Sequence, residues 1–420
     1  MRTTRRALAA VVSAAALLVA SGCGAGEDDA TASTVEVFTW WAEGGEKAGL
    51  DALVSRFTAA CPGQEFQSGV IAGGAGVNAK QVLNARLQQN DPPDTFQAHA
   101  GAELLDHINA AQVSDLTARY EAWGLTAALP AGLIETLTVN GKLWSVPAGV
   151  HRANVVWAND QVLADAGILV APKNLKEFVA NLEKLRRNGI ESPLALGRDW
   201  TQLMLLEAVL ISDLGSKRFN GLFNGETKWD GKPVRTAIDD FATIVGYSNP
   251  DRDSLDWPQA EQLLIDGKAG YQMMGDWVAA DLDQKNFSGY DSFTFPGNGK
   301  TFQWLADSFV LTTGAANPAG AECWLRTVAS PEGQQAFNAR KGSIPARTDA
   351  PTVGFTDYQI EAVEDWKSGT PVPSCAHGSA CSQPWQNAAN AALGAFSTSG
   401  DAAALQAALA AAARQFVRQP

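Results

Sequence analysis

Short runs of β-favouring residues alternate with longer stretches of helical period along most of this chain, and that alternation limits the fold more than any other feature. Val35-Glu36-Val37-Phe38 reads as a strand; Leu50, Leu53, Val54 and Phe57 then recur on one face of a helix that Gly63 ends. Phe66 to Ile71 predicts a second strand and Val77 to Leu87 a second helix. Asp91-Pro92-Pro93-Asp94 then turns the chain into the strand Thr95-Phe96-Gln97. Asn140-Gly141 is a hairpin turn between Leu137-Thr138-Val139 and Leu143-Trp144-Ser145-Val146, and Asn154 to Trp157 continues as a strand. Leu175, Phe178, Val179, Leu182 and Leu185 mark an amphipathic helix with Gly189 as its cap. Leu194 to Leu196, Gly270 to Met274 and Phe309 to Thr312 read as strands; Leu203 to Leu210 and Ala402 to Phe416 read as helices. Strand–helix alternation of this kind builds parallel βαβ units and an α/β fold. Roughly 390 residues beyond the leader exceed one compact core, so two lobes or domains are expected.

The first residues specify export. Arg2, Arg5 and Arg6 precede an apolar run from Ala7 to Ala20, then Ser21-Gly22-Cys23. This is the layout of a signal peptide over residues 1–22, too short for a stable transmembrane helix. A cysteine directly after the small-residue cleavage site has the form of a bacterial lipobox, with Ala20 where Leu is usual, so Cys23 is the expected lipidation site. Residues 23–33 read as a flexible tether that leaves the protein anchored to the outer face of the cytoplasmic membrane.

Charge and cysteines narrow the function. Loss of the three leader arginines takes the net charge from −13 to −16. An acidic chain without a basic patch is a poor nucleic-acid binder, because phosphate contacts need Lys and Arg. Four cysteines remain after Cys23, and an exported protein can keep them as disulfides. Of three possible pairings, the close spacing of Cys375 and Cys381 makes them the expected pair, with Cys61 and Cys323 left over. No metal site is expected, since neither CxxC nor HxxxH spacing occurs, and no cofactor motif is present. There is no GxSxG elbow or HExxH helix; Gly73-Gly74-Ala75-Gly76 lacks both the GxGxxG form and the P-loop Lys. Glu43 and Asp307 are a conceivable glycosidase pair, but nothing marks either as a tuned acid, so an enzyme is not expected.

In open parallel sheets, ligands sit beyond the carboxyl ends of the strands. Here those ends carry Trp40-Trp41-Ala42-Glu43, Gln97-Ala98-His99 and Asp276-Trp277, the makings of a polar, aromatic-lined pocket. Tryptophans (13) outnumber tyrosines (5), and several follow strands.

Eight segments extend this pattern: Trp40-Trp41-Ala42-Glu43-Gly44-Gly45, Ala72-Gly73-Gly74-Ala75-Gly76, Asn90-Asp91-Pro92-Pro93-Asp94, Gln97-Ala98-His99-Ala100-Gly101, Val150-His151-Arg152, Met274-Gly275-Asp276-Trp277, Ala306-Asp307-Ser308-Phe309 and Lys341-Gly342-Ser343-Ile344-Pro345-Ala346-Arg347. In these segments the chain resembles the solute-binding proteins of carbohydrate ABC importers, and among them the glucose-type subgroup. Ala75 stands where that pattern has a further Gly, and the region beyond Phe355 matches less clearly. The resemblance implies a two-lobed periplasmic-binding-protein-like fold, each lobe a mainly parallel sheet flanked by helices. Crossings near Val150–Arg152, Ala306–Ser308 and after Arg347 imply that residues 34–150 with 307–347 form lobe I and 151–306 with 348–420 lobe II. It also implies a monomer that binds a monosaccharide, glucose first, and delivers it to permease subunits by hinge closure.

A pyranose offers C–H faces that suit an aromatic ring, and a rim of hydroxyls that suits carboxylates, amides, imidazoles and ammonium groups. The resemblance assigns stacking to Trp277 and Trp257, and rim contacts to Glu43, Gln97, His99, Asp307 and Lys341. Gln97 and His99 share one face of their strand, being two residues apart. One of Trp40 and Trp41 lines the cleft and the other packs inward. His151 either touches sugar or holds the hinge, and Arg152 is structural. His377 lies between Cys375 and Cys381, in a loop that a disulfide would pin, and a pinned loop loses less entropy on binding. An oligosaccharide binder and a sugar sensor without an importer are the competing readings.

Overall fold

The computed structural model describes residues 33–73 and 76–417. The signal peptide, Cys23 and all of the tether but Ser33 lie outside them, as do Gly74 and Ala75.

Among the described residues, twelve strands run in chain order: β1 Thr34–Thr39, β2 Glu65–Val70, β3 Thr95–His99, β4 Thr138–Val139, β5 Lys142–Leu143, β6 Val146–Arg152, β7 Val155–Asn159, β8 Leu194–Ala195, β9 Tyr271–Met274, β10 Tyr290–Thr294, β11 Thr301–Leu311 and β12 Thr370–Pro373. The first sheet has the order β12-β11-β3-β1-β2, with β6 also paired to β11. The second has the order β10-β7-β9-β8. β4 and β5 form the hairpin at Asn140-Gly141, both of which take positive φ (53° and 74°) as a tight two-residue turn requires.

Four pairs are parallel, as the alternation leads one to expect: β1 with β2, β1 with β3, β8 with β9 and β11 with β12. The pairs around the crossing differ. β6 and β3 run antiparallel to β11, and β7 runs antiparallel to both β9 and β10. Both sheets are therefore mixed, because β6 passes almost directly into β7 and β11 returns from the second sheet to the first. β11 is also longer than the expected Phe309–Thr312: all eleven residues are buried, and the polar Gln303, Asp307 and Ser308 interrupt the apolar signature of a strand.

Two hydrophobic cores result. One joins β1, β3 and β6 with the helices Gly44–Ala60 and Pro318–Ala329, including Phe57, Phe309 and Trp324. The other joins β7 and β9 with the helices Asp199–Asn224 and Gln383–Ser399, including Trp157, Phe219 and Trp385. Ala362, on the helix Asp357–Ser368, belongs to the first core, while Val372 and Leu405 belong to the second. The architecture is a two-lobed α/β fold. Disulfides join Cys61 to Cys323 and Cys375 to Cys381. Among the described residues no helix is long and apolar enough to cross a membrane.

Candidate functional site

A cavity of about 560 Å³ lies where the ends of β1, β3 and β9 meet the crossing strands β6 and β11. Trp40, Glu43, His99 and Lys341 line it from the side of the first core. Trp257, Trp277 and His377 line it from the second, and His151 and Asp307 from the crossing strands. Nine of the eleven residues expected in the site are thus brought to one cavity.

The other two stand behind it. Trp41 is fully buried, its ring 4.7 Å from Phe337 and 5.5 Å, edge-on, from Phe309. Successive residues of an extended segment point to opposite faces, so Trp40 faces the cavity while Trp41 packs inward. Gln97 donates through Nε2 to Asp307 Oδ1 (3.0 Å) and accepts at Oε1 from the Thr39 hydroxyl and the Trp40 amide. It orients Asp307 and the end of β1.

Asp307 is the electrostatic centre. It is 3% exposed and also accepts at Oδ2 from His151 Nε2 (3.1 Å). Burial alone would raise its carboxyl, but the His151 hydrogen bond and charge, then Lys341 and His99, outweigh this and hold it well below the usual carboxylate range. His151 in turn contacts Asp276 through Nδ1. Burial opposes the imidazolium, yet the Asp276 charge and the hydrogen bonds to Asp276 and Asp307 carry the His151 pKa above its ordinary value. Both ring nitrogens face carboxylates, so neither is left for a ligand.

His99 contacts Glu103 Oε2 through Nδ1 at 2.9 Å, and Glu103 also takes Lys80 at 2.7 Å. The rings form a continuous wall: Trp40 lies 5.1 Å from His99, His99 5.5 Å from His377, His377 5.4 Å from Trp277, and Trp277 5.5 Å from His151. The Lys341 ammonium sits 5.5 Å from the Trp277 ring centre.

Sequence reasoning missed several lining residues. Glu46, in the first turn of the helix Gly44–Ala60, pairs with Lys341 at 3.2 Å. Burial raises its carboxyl despite that partner. Glu43 caps the same helix without a side-chain cap bond and is exposed at the cavity rim. Trp200 donates from Nε1 to Asp256 Oδ1 (3.1 Å) and lies 5.9 Å from the His377 ring. Asp281 and Lys285 (2.7 Å) lie one turn apart on the helix Trp277–Gln284 and just after it. The signal for Glu46, Asp281 and Lys285 was only a short distance in sequence from residues already singled out.

The glycines after Glu43 admit this approach. A Cβ on Gly44, whose φ is +56°, would meet Asp281 Oδ1 at 2.3 Å, and one on Gly45 would meet Ala280 Cβ at 2.8 Å. A side chain at either position would hold the two helix ends apart and widen the cavity.

The arrangement presents aromatic faces beside a rim of carboxylate, imidazole and ammonium groups. Among the described residues no group of three His, Cys, Asp or Glu is placed to hold a metal ion.

Known proteins are similar to this chain. An uncharacterized ABC transporter extracellular-binding protein of Pyrococcus horikoshii is 33% identical over 379 residues, 86% of this chain and 85% of that protein. A xylose/arabinose-binding protein of Haloferax volcanii is 30% identical over 86% of this chain and 80% of its own length. The solved structure of a chitin oligosaccharide binding protein superposes with a TM-score of 0.80 at 20% identity, covering 92% of this chain and 99% of that one, which is a likeness of fold. The model of the bacterial extracellular solute-binding proteins matches residues 41–335, well over half of the sequence, and the chain belongs to that family.

Proposed function

We propose that this protein is the extracytoplasmic solute-binding component of a sugar ABC importer, a lipoprotein held by Cys23, and that its ligand is a single pyranose, glucose first. Lobe I, residues 34–150 with 307–347, and lobe II, 151–306 with 348–420, close on the sugar and present it, as a monomer, to the permease subunits. The observation that carries this reading is the cavity itself. Trp40, Trp277 and Trp257 supply faces for C–H surfaces, and Asp307, Lys341, His99 and His377 supply donors and acceptors around them. The relative from Haloferax volcanii, named for two pentoses, supports a monosaccharide. Gln97 and His151 serve by holding Asp307, and Trp41 by packing behind Trp40.

One observation favours a second reading. Trp200 and Trp257 add two further indoles to the cavity lining, and a site for more than one sugar ring needs several aromatic plates. Calorimetry on refolded, ligand-stripped protein from Thr34 onward separates the two, using glucose, galactose, mannose, xylose and maltose. One-to-one binding of a monosaccharide at micromolar affinity or tighter, lost in Trp277→Ala, is expected. Binding of maltose alone would overturn the single-ring site, and no heat with any of these sugars would overturn the sugar assignment.

A further inference from the structure

Glu207 has no counterpart among the residues that line the cavity. It sits on the helix Asp199–Asn224, in the otherwise apolar run Leu203 to Leu210, and is 1% exposed. Among the described residues no lysine or arginine pairs with it. Instead Oε1 accepts from the Cys375 amide (2.5 Å), and Oε2 accepts from the Ser374 hydroxyl (2.8 Å) and the Ala376 amide (3.3 Å). One carboxylate thus gathers three donors from the start of the disulfide-closed loop that carries His377.

The hydrogen-bond directions in this chain are constrained. Backbone amides only donate, so the Glu207 oxygens accept. A hydroxyl has one proton, and Ser374 gives it to the carboxylate. The Ser374 oxygen, 3.1 Å from His377 Nδ1, is then left to accept. Burial, then the neighbouring His99 and Lys80, holds the His377 pKa well below its ordinary value, so the ring is neutral and carries one proton. That proton belongs on Nδ1. The His377 ring lines the cavity wall, and its Nε2 is buried and has no hydrogen-bond partner among the described residues.

We infer that Glu207, acting through the Ser374 hydroxyl, fixes His377 as the Nδ1–H tautomer, so that the cavity-lining ring keeps a bare lone pair at its unpartnered Nε2 and selects a ligand with a hydroxyl placed to donate to it. Glu207 and Ser374 are positioning residues; His377 is the group that meets ligand. The selection follows from burial. A ligand lacking that hydroxyl leaves a desolvated acceptor unpaired, which costs more than an ordinary hydrogen bond contributes. The ligand half rests on the proposed sugar-binding function; the tautomer half does not.

The test separates the two. The chain has four histidines, so ring-nitrogen NMR of protein labelled at histidine resolves them, with His377→Gln assigning the signal. It is run without ligand at pH 8, above the value of about 7 to which burial pushes the Glu207 carboxyl against the opposing Cys375, Ser374 and Ala376 hydrogen bonds. The expected result is a protonated Nδ1 and an unprotonated Nε2 in the native protein. Ser374→Ala shifts the ring toward the Nε2–H form, and Ser374→Thr, which keeps a hydroxyl, restores the native pattern. Glucose affinity falls about 10-fold in Ser374→Ala. The deoxyglucose most weakened in the native protein loses little more in that variant. An Nε2–H signal in the native protein overturns the inference without any variant. So does a Ser374→Ala protein with unchanged tautomer and affinity. Absence of glucose binding to the native protein refutes the glucose reading alone and leaves the tautomer result standing.

Discussion

Replacing Asp307 by Asn keeps the shape of the side chain and removes its charge, and the geometry sets what this costs. Asp307 accepts from Gln97 Nε2 at 3.0 Å and from His151 Nε2 at 3.1 Å. An amide has one acceptor oxygen, so one of these donors must face the new NH₂ group. If the oxygen turns to Gln97, a charge-assisted bond from His151, worth about 1.5–3 kcal/mol, is lost and a buried donor is left unmatched at about 1–3 kcal/mol. A loss of about 3 kcal/mol of folding stability at pH 7 is expected, read by urea unfolding. The sign of the pH dependence follows from the depressed pKa. The native carboxylate's contribution is present above about pH 4, its unfolded value, and is lost as the pH falls through the folded value. The stability gap between native protein and Asp307→Asn therefore narrows on acidification below about pH 4. For ligand, a neutral acceptor replaces a charged one at the rim, which weakens glucose binding about 10-fold in the same calorimetry. An Asp307→Asn protein that is as stable as the native one at pH 7 would refute the His151–Asp307 bond as a charge-assisted contact. Unchanged glucose affinity would remove Asp307 from the proposed site.

The two adjacent tryptophans should separate cleanly: Trp41→Ala lowers stability by about 3–5 kcal/mol, read by urea unfolding, whereas Trp40→Leu mainly weakens glucose binding, read by calorimetry. The double replacement Cys375→Ser with Cys381→Ser opens a loop whose ends are six positions apart, and is expected to cost about 2 kcal/mol of stability together with a several-fold loss of glucose affinity through His377.

What could be read from the sequence was the part governed by strand ends. Trp40 and Trp277 follow β1 and β9 and His99 ends β3, and a parallel βαβ arrangement brings such ends to one side whatever the helices do. His377 came from cysteine spacing. The residues that were missed sit inside helices or behind the cavity. Glu46 and Asp281 lie in helices and Lys285 just after one, where a charged residue ordinarily means a solvated face, and the tertiary approach admitted by Gly44 and Gly45 turns them inward. β11 was underestimated for the same reason in reverse: its polar residues are buried by the crossing and do not mark a loop. Glu207 did leave a signal, a carboxylate in the apolar run Leu203 to Leu210, but its meaning depended on a loop more than 160 residues away in sequence.

His151 shows how the site and the crossing are one device. Asp276 follows β9 in the second sheet, Asp307 lies in β11 of the first, and the imidazolium between them is held by both. Two buried carboxylates beside each other would repel; one imidazolium between them makes the contact favourable. It does so only while β6, β9 and β11 keep their spacing. Asp307 therefore cannot be moved toward a ligand without also moving the contact that ties the two sheets. On the proposed function, a sugar hydroxyl reaching Asp307 meets an oxygen already oriented by Gln97 and His151. Little orientation is left to be fixed on binding, which is where preorganisation lowers the entropic cost. Both His151 nitrogens are occupied by carboxylates, so on the proposed function it acts on the sugar only through Asp307.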